Sequence, residues 1–259
     1  MPDNYINYEA RDRVAIITLD RPDKRNALNE EMITELKDRF LRAKEDPNVK
    51  VILLKANGKA FSAGADLEYL QRLQQNSYEE NHTDSRHLMD LFWQIYTHPK
   101  FVISQVEGHA IAGGCGLATI CDLCYAVPGA QFGYTEVQIG FIPALVSIFL
   151  SRKIGEGRAR ELLLTARLIS AAEAAGYGLI TRVEEKEKIN DFVWQKAQEL
   201  CHNTSSQSIA QTKQLLADTF GLPIGKALAV AAERNAYARG TEDCQKGIKA
   251  FLDKQKPSW

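Results

Sequence analysis

Apolar and polar positions along the chain change period several times, and those changes predict the elements. The run Val14-Ala15-Ile16-Ile17-Thr18-Leu19 is apolar on both faces, as in a buried strand, and Asp20-Arg21-Pro22 stops it. A helical stripe of Met32, Leu36 and Phe40 follows within a segment from about Asn29 to Glu45. Three more apolar runs read as strands: Val51–Leu54, with a loop at Asn57-Gly58-Lys59 beyond it, Phe101–Val106 and Leu123–Ala126. Strands alternating with helical segments predict an α/β architecture with crossover connections. The second half differs. Ser170-Ala171-Ala172-Glu173 has capping-box spacing and predicts a short helix ending near Gly176 or Gly178. A brief strand is expected around Thr181-Arg182-Val183, and from about Lys188 the pattern stays helical apart from a break at Gly221-Leu222-Pro223. These changes divide the chain into an α/β core, 1–195, and a helical C-terminal region, 196–259. Trp93 and Trp194 fall in helical patterns and are expected in the core.

Composition narrows the function classes. With 259 residues, 45% hydrophobic and 25% charged, the chain can bury a sizeable core. Its 32 basic and 33 acidic residues leave a net charge of −1, which provides no long-range attraction to nucleic acid or an anionic membrane. An anionic ligand must therefore be held by local groups. The five cysteines, Cys115, Cys121, Cys124, Cys201 and Cys244, do not form a disulfide framework. Cys121-x-x-Cys124 has metal or redox spacing, but no second pair and no histidine at ligand distance accompany it, so no metal is expected. The start, Met1-Pro2-Asp3-Asn4-Tyr5, has none of the features of a secretory signal, and no run of 18 apolar residues occurs. A cytoplasmic protein is expected.

Two loops and one carboxylate carry the candidate chemistry. Ala60-Phe61-Ser62-Ala63-Gly64-Ala65-Asp66-Leu67 places small residues after a strand, and Asp66 is suited to cap the next helix. Gly108-His109-Ala110-Ile111-Ala112-Gly113-Gly114-Cys115-Gly116 runs into a helical segment, where a glycine cluster leaves backbone N–H groups unpaired. It has neither the Gly-Lys-Ser/Thr ending of a P-loop nor dinucleotide glycine spacing, which argues against ATP or NAD. Each loop alone could be a tight turn. If the two converge, one N–H from each forms an oxyanion hole. Glu136, between apolar neighbours in Gln131–Gly140, supplies a titratable group that burial would tune; its other reading is a solvated turn carboxylate. Tyr134 either hydrogen-bonds in the pocket or packs, and His109 is expected to be structural.

These segments in this order resemble the crotonase (enoyl-CoA hydratase/isomerase) family. The matching stretches are Leu19–Leu28, Phe61–Leu67, Val106–Asp122, Phe132–Pro143, Leu164–Ile180 and the tail Gly247–Lys254. The resemblance implies a ββα spiral followed by helices that build a trimer, commonly paired into a hexamer. It implies an acyl-CoA thioester substrate, no separate cofactor, and an oxyanion hole made by the N–H groups of Ala65 and Gly113. The loops holding Lys24, Arg25 and Ala27, and Ala63, Gly64, Asp66 and Leu67, correspond to the edges that bind coenzyme A; Gly114 and Tyr134 join them. Phe251 and Lys254 resemble tail residues that reach coenzyme A in a neighbouring subunit. Family hydratases with two carboxylates carry one where this chain has Gly116, and the other falls on Glu136. The run Thr135–Ser147, with Lys153-Ile154-Gly155, resembles a bacterial branch of leucine and isoprenoid degradation that hydrates methylglutaconyl-CoA or related branched enoyl-CoAs. Ser147 could then face substrate, and Arg72, Arg86 and His87 are candidates for a distal carboxylate.

The leading expectation is therefore an enoyl-CoA hydratase, a lyase acting on a branched 2-enoyl-CoA such as 3-methylglutaconyl-CoA. The alternative is a Δ3,Δ2-enoyl-CoA isomerase using one glutamate, followed by a decarboxylase or thioesterase on the same scaffold. A scaffold or RNA-binding protein is the reading from another class. The lack of a Lys/Arg stripe argues against RNA, and Glu136 beside two oxyanion segments argues against an inert scaffold.

Overall fold

A computed structural model describes residues 5–259; the reading of the first four residues lies outside them. The chain repeats one unit, in which a strand joins a first sheet, a second strand joins another sheet, and a helix returns. β1 (Ile6–Arg11) and β2 (Val14–Leu19) form an antiparallel hairpin, and α1 (Glu30–Glu45) leads to β3 (Val51–Ala56). β4 (Ala60–Ser62), α2 (Leu67–Leu73) and α3 (Tyr78–Tyr96) complete that turn. The next consists of β5 (Phe101–Val106), β6 (His109–Ile111) and α4 (Gly113–Thr119), and then come β7 (Leu123–Ala126) and β8 (Gln131–Gly133). After α5 (Ala144–Ile154) and α6 (Glu156–Thr165), β9 (Ile169–Ser170), α7 (Ala171–Gly176) and β10 (Arg182–Val183) close the core.

Two sheets result, ordered β1-β2-β3-β5-β7-β10 and β4-β6-β8-β9. In the first, the pairs from β2 to β10 are parallel, and β2 is buried along its whole length. A parallel strand covered on both faces needs a continuous apolar run, which explains the Val14–Leu19 sequence. In the second sheet β4, β6 and β8 are parallel neighbours, so their C-terminal ends lie side by side. This is the expected ββα spiral.

Local chemistry fixes the helix ends. Asn29 caps α1 by accepting from Met32 N–H, and Ser170 with Glu173 forms the expected capping box. At three C-termini a lysine takes the orphan carbonyls. Lys100 donates to Ala43 and Asp46, Lys153 to Thr119 and Cys121, and Lys50 to Cys201 and Thr204 of α8 (Ile189–Asn203). Burial pushes the Lys50 and Lys100 ammonium groups down.

Two expectations need correction. A boundary at residue 195 would cut α8, whose Ile189, Val193, Ala197 and Cys201 are buried; burial changes after that helix. Beyond it, α9 (Ser206–Thr219), α10 (Ile224–Arg239) and α11 (Glu242–Leu252) contain no buried residue. Trp93 is 49% exposed rather than core, because α3 turns only Leu91, Phe92 and Ile95 fully inward, while Trp194 is half-buried beneath the Arg11 guanidinium.

His98 is buried between the Phe40 carbonyl, which it meets at 3.2 Å, and the Lys100 N–H, which donates to its Nδ1 at 3.1 Å. Burial, with the nearby Lys213 and Lys100 charges, pushes it down to about 4 from 6.5. The folded state thus binds fewer protons than the unfolded chain between those values. The stability this group confers is complete above pH 6.5 and is lost as pH falls towards 4, by about 3 kcal/mol. Denaturant titrations of wild type and His98→Gln across this interval should give a difference that shrinks steadily on acidification; a difference independent of pH would show that His98 is not the responsible group.

Candidate active site

The site is assembled at the C-terminal ends of β4, β6 and β8, each of which delivers one expected segment. Ile111 pairs with Gly133, and the next N–H, of Ala112, donates to the Gly133 carbonyl at 2.7 Å. The glycine loop and the Glu136 turn are thereby tied together one residue before each begins its functional stretch. The Ala63–Asp66 loop reaches the same place. A Cβ at Gly64 would lie 2.8 Å from the Ala112 Cβ and 3.5 Å from Gly113 N, and one at Gly114 would lie 2.6 Å from Ser62 Cβ, O and Oγ. Only glycine permits these approaches, and Gly64 also has φ +90°. The two loops singled out in the sequence therefore converge.

Both expected donors are available at this crossing. Gly113 is the first residue of α4, so its N–H has no intrahelical acceptor, and Ala65 N–H has no backbone acceptor among the described residues. Ala65 is exposed and Gly113 half-buried. The residue before Gly113 is strained. Ala112 adopts φ 51°, ψ −128°, a region costly for a residue with a Cβ, and thereby turns the Gly113 N–H out of the strand direction.

Glu136 opens the 3₁₀ turn Glu136–Ile139, with Gly140 in the left-handed region closing it and Phe141 N–H donating to the Glu136 carbonyl. Its Oε2 is buried with no hydrogen-bond partner, and burial raises its pKa above the ordinary carboxylate value. An unpartnered buried carboxylate oxygen is costly in a resting fold and is suited to accept a proton from a bound reactant. The turn-carboxylate alternative fails because that oxygen is not solvated.

The glycine at 116 has a structural reason. A Cβ there would meet Val146 Cγ1 at 2.3 Å, Val146 Cβ at 3.3 Å and Phe92 Cζ at 3.4 Å. Val146 on α5 and Phe92 on α3 fill the space of a side chain at this position, so the wall is apolar. Glu136 is the only one of the two family carboxylate positions that carries an acid here.

The other expected residues divide by their contacts. Lys24 is exposed and pairs with Glu68 at 2.6 Å, and Arg25 takes a left-handed turn, φ 52°, with its carbonyl accepting from Ala63 N–H. Ala27 and Ala63 lie where these loops meet, and Leu67 is 73% exposed at the start of α2. Asp66 is corrected from a coenzyme A contact. Its carboxylate is 7% exposed and is consumed by Glu68 N–H, Tyr69 N–H and the Arg21 guanidinium. Burial opposes ionisation there, but those donors hold the carboxyl below its usual value. Tyr134 is also corrected. It is 1% exposed with its hydroxyl turned to Thr119 and Cys115, so it packs beneath the site. Ser147 donates to Ala144 in its own helix, and His109 is exposed at the opposite end of β6 from Gly113. Cys121 donates to Leu117, and burial pushes Cys121 and Cys124 up to about 12 and about 11, so both are thiols. Arg72 and His87 line a groove shared with Glu30, Glu79, Glu80 and Asp84, whose charges oppose a carboxylate ligand. Phe251 is 81% exposed and Lys254 is exposed too, and the Trp259 carbonyl accepts from Arg13, before β2, at the far end of that strand from Lys24.

Sequence reasoning passed over Asn26. Fully buried, it donates to the Asn57 and Ala60 carbonyls at 2.8 and 2.9 Å and accepts from Arg21 N–H at 2.8 Å. Its left-handed φ of 54° beside that of Arg25 was the available signal, since asparagine tolerates that region.

Comparison with known proteins identifies the family. The family profile described as enoyl-CoA hydratase/isomerase matches residues 9–259. A protein of Thermus thermophilus, provisionally named an enoyl-CoA hydratase, is 42% identical over 244 residues, covering 94% of this chain and 96% of its own. A crotonyl-CoA hydratase of Syntrophomonas wolfei is 31% identical, covering 97% and 96%. The crystal structure of an enoyl-CoA hydratase from Mycobacterium smegmatis superposes with TM-score 0.91 at 31% identity over 98% of each chain. The chain belongs to the enoyl-CoA hydratase/isomerase family, the crotonase superfamily.

Proposed function

We propose that this protein adds water across the double bond of a 2-enoyl-CoA thioester with Glu136 as its single acid–base group. The observation that carries the reading is the unpartnered, buried Glu136 Oε2 beside two loops that converge with free N–H groups. The thioester oxygen would accept from Ala65 N–H and Gly113 N–H, which bind it more tightly as negative charge develops on it. Glu136 would take a proton from a water whose oxygen bonds to C3. The electron pair of the C2=C3 bond moves to give the enolate held by the two donors. Collapse of the enolate with protonation at C2, by the proton Glu136 has taken up, restores the carboxylate. Water is consumed, and hydrogen and hydroxyl appear on C2 and C3. Hydration is preferred over isomerisation because the relatives are named hydratases.

The finer reading is a branched 2-enoyl-CoA such as 3-methylglutaconyl-CoA. It draws on the likeness of residues 135–155 to the branch that degrades leucine and on the missing carboxylate at Gly116. Coenzyme A itself would lie along Lys24–Ala27, Ala63–Ala65 and Leu67, with the Asp66 carboxylate turned away into its ion pair. A homotrimer, or a hexamer built from two, is the assembly this reading requires. Its support is that α9, α10 and α11 bury nothing in their own chain while Ile224, Leu228 and Tyr237 are 77%, 62% and 67% exposed. Phe251 and Lys254 would complete a neighbouring site.

Glu136→Gln keeps shape and removes the base, so turnover should fall by roughly 10²–10⁴. Because a buried unpaired charge disappears, thermal stability at neutral pH should be equal or higher. The wild-type kcat/KM should fall on the acid side at a pH above that of an ordinary carboxylate, since the raised pKa keeps Glu136 protonated, and so unable to act as base, to a higher pH. Near-native turnover in the variant, read by loss of enoyl-thioester absorbance, rules out the mechanism. Product mass distinguishes a gain of water from isomerisation.

Gly113→Pro removes one donor at a helix position that accepts proline, where the nearest atom to an added Cβ is 3.8 Å away. Turnover should drop by about 10²–10³ with circular dichroism unchanged. A folded variant of full activity excludes that N–H from the oxyanion hole.

Light scattering should give a trimer or hexamer, and removal of residues 241–259 should weaken both assembly and coenzyme A binding. A fully active monomer contradicts the assembly.

A further inference from the structure

The Ala65 donor sits on an exposed loop, and something must hold its N–H in one direction. Leu28 and Ala65 form an isolated parallel bridge in which Leu28 N–H donates to Gly64 at 2.7 Å and Asp66 N–H donates to Leu28 at 2.8 Å. Ala65 N–H is left between those two bonds. A single bridge is weak by itself, because two loops of small residues have little side chain with which to pack. Both sides of the bridge are gripped by one nearly buried ion pair. Arg21 Nη1 donates to Asp66 Oδ2 at 2.6 Å and to the Ala27 carbonyl at 3.1 Å, with the side chains only 12% and 7% exposed. Arg21 thus reaches the residue before Leu28 and the residue after Ala65 with the same nitrogen. The guanidinium is covered on one face by the Tyr5 ring, 5.2 Å away. On the other side Asp66 Oδ1 accepts from Glu68 and Tyr69, fixing the start of α2.

We propose that Arg21 and Asp66 are positioning residues for catalysis, aligning the Ala65 N–H with the thioester oxygen while touching neither substrate nor coenzyme A. The inference rests on the oxyanion-hole reading above. A structural staple would affect stability alone. A positioning pair acts mainly on the transition state, because the alignment of the donor matters most when charge has moved onto the oxygen.

Asp66→Asn separates the two roles of this residue, since asparagine is also a good helix cap but cannot form the ion pair. Arg21→Lys is the second variant; it keeps the charge but loses the planar guanidinium that lies over the Tyr5 ring and fixes the direction of the shared nitrogen. If Asp66→Asn does not fold, Arg21→Lys is read alone. Two measurements are made on crotonyl-CoA. In the otherwise wild-type protein, kcat should fall on the order of 10–10²-fold with KM changed less than threefold or so. In the Glu136→Gln background, where substrate persists, the infrared stretch of a ¹³C-labelled thioester carbonyl reports polarisation without turnover. It should shift to lower frequency on binding to Glu136→Gln, and by less when Asp66→Asn or Arg21→Lys is added. An unchanged carbonyl shift and kcat in a folded variant overturns the positioning role. Absence of any shift on binding to Glu136→Gln itself overturns the oxyanion-hole reading instead, so the two failures are distinct.

Discussion

The site depends on three strands of three residues each. β4, β6 and β8 hydrogen-bond side by side in parallel, and this alone brings residues 63–66, 112–113 and 134–136 together from separate turns of the spiral. Ligands of parallel sheets gather at the carboxyl ends of strands because loops from neighbouring strands open there together. Here the crossing is tight enough that Gly64 and Gly114 have no space for a Cβ. Backbone at such a crossing cannot complete its own hydrogen bonding, and in the proposed mechanism the N–H groups left over bind the thioester oxygen. The donors need no charged side chain, which suits a chain with a net charge of −1.

Close packing also accounts for the glycine at position 116. Val146 and Phe92 close around Gly116, so that position is walled by apolar side chains. Burial raises the pKa of Glu136, and its Oε2 has no hydrogen-bond partner. Both effects cost stability in the resting protein, and the strained Ala112 adds to that cost. Elsewhere the chain is locally consistent, with side-chain caps on α1, α2, α3 and α7 and lysines on three helix C-termini. Some departures lie elsewhere, as at Asp12, Arg13 and the unpartnered Tyr8 hydroxyl, but Ala112 and the Glu136 carboxylate adjoin the two converging loops.

Much of this was legible in sequence. Val14–Leu19 and Val51–Leu54 declared buried strands because parallel strands covered on both faces need unbroken apolar runs, and Ser170–Glu173 declared its capping box. The second sheet was not legible, since three-residue strands have no period to detect and make sense only as a paired set. Asp66 announced a helix cap, but its ion pair with Arg21 spans 45 positions and no local pattern carries it. Tyr134 could be placed either in the pocket or in the core from sequence; the burial of its hydroxyl against Thr119 decides for the core. Trp93 misled because α3 has a narrow buried stripe. The pattern after Lys188 is helical in sequence, but it does not reveal that α9, α10 and α11 contain no buried residue.

Convergence of the two N–H groups on one oxygen is the central claim, and a crystal structure of Glu136→Gln with bound crotonyl-CoA tests it most directly. The thioester oxygen should lie about 2.7–3.1 Å from both Ala65 N and Gly113 N, with the amide at 136 facing the C2–C3 bond. A thioester oxygen bonded to neither nitrogen, or a double bond remote from residue 136, would contradict the account.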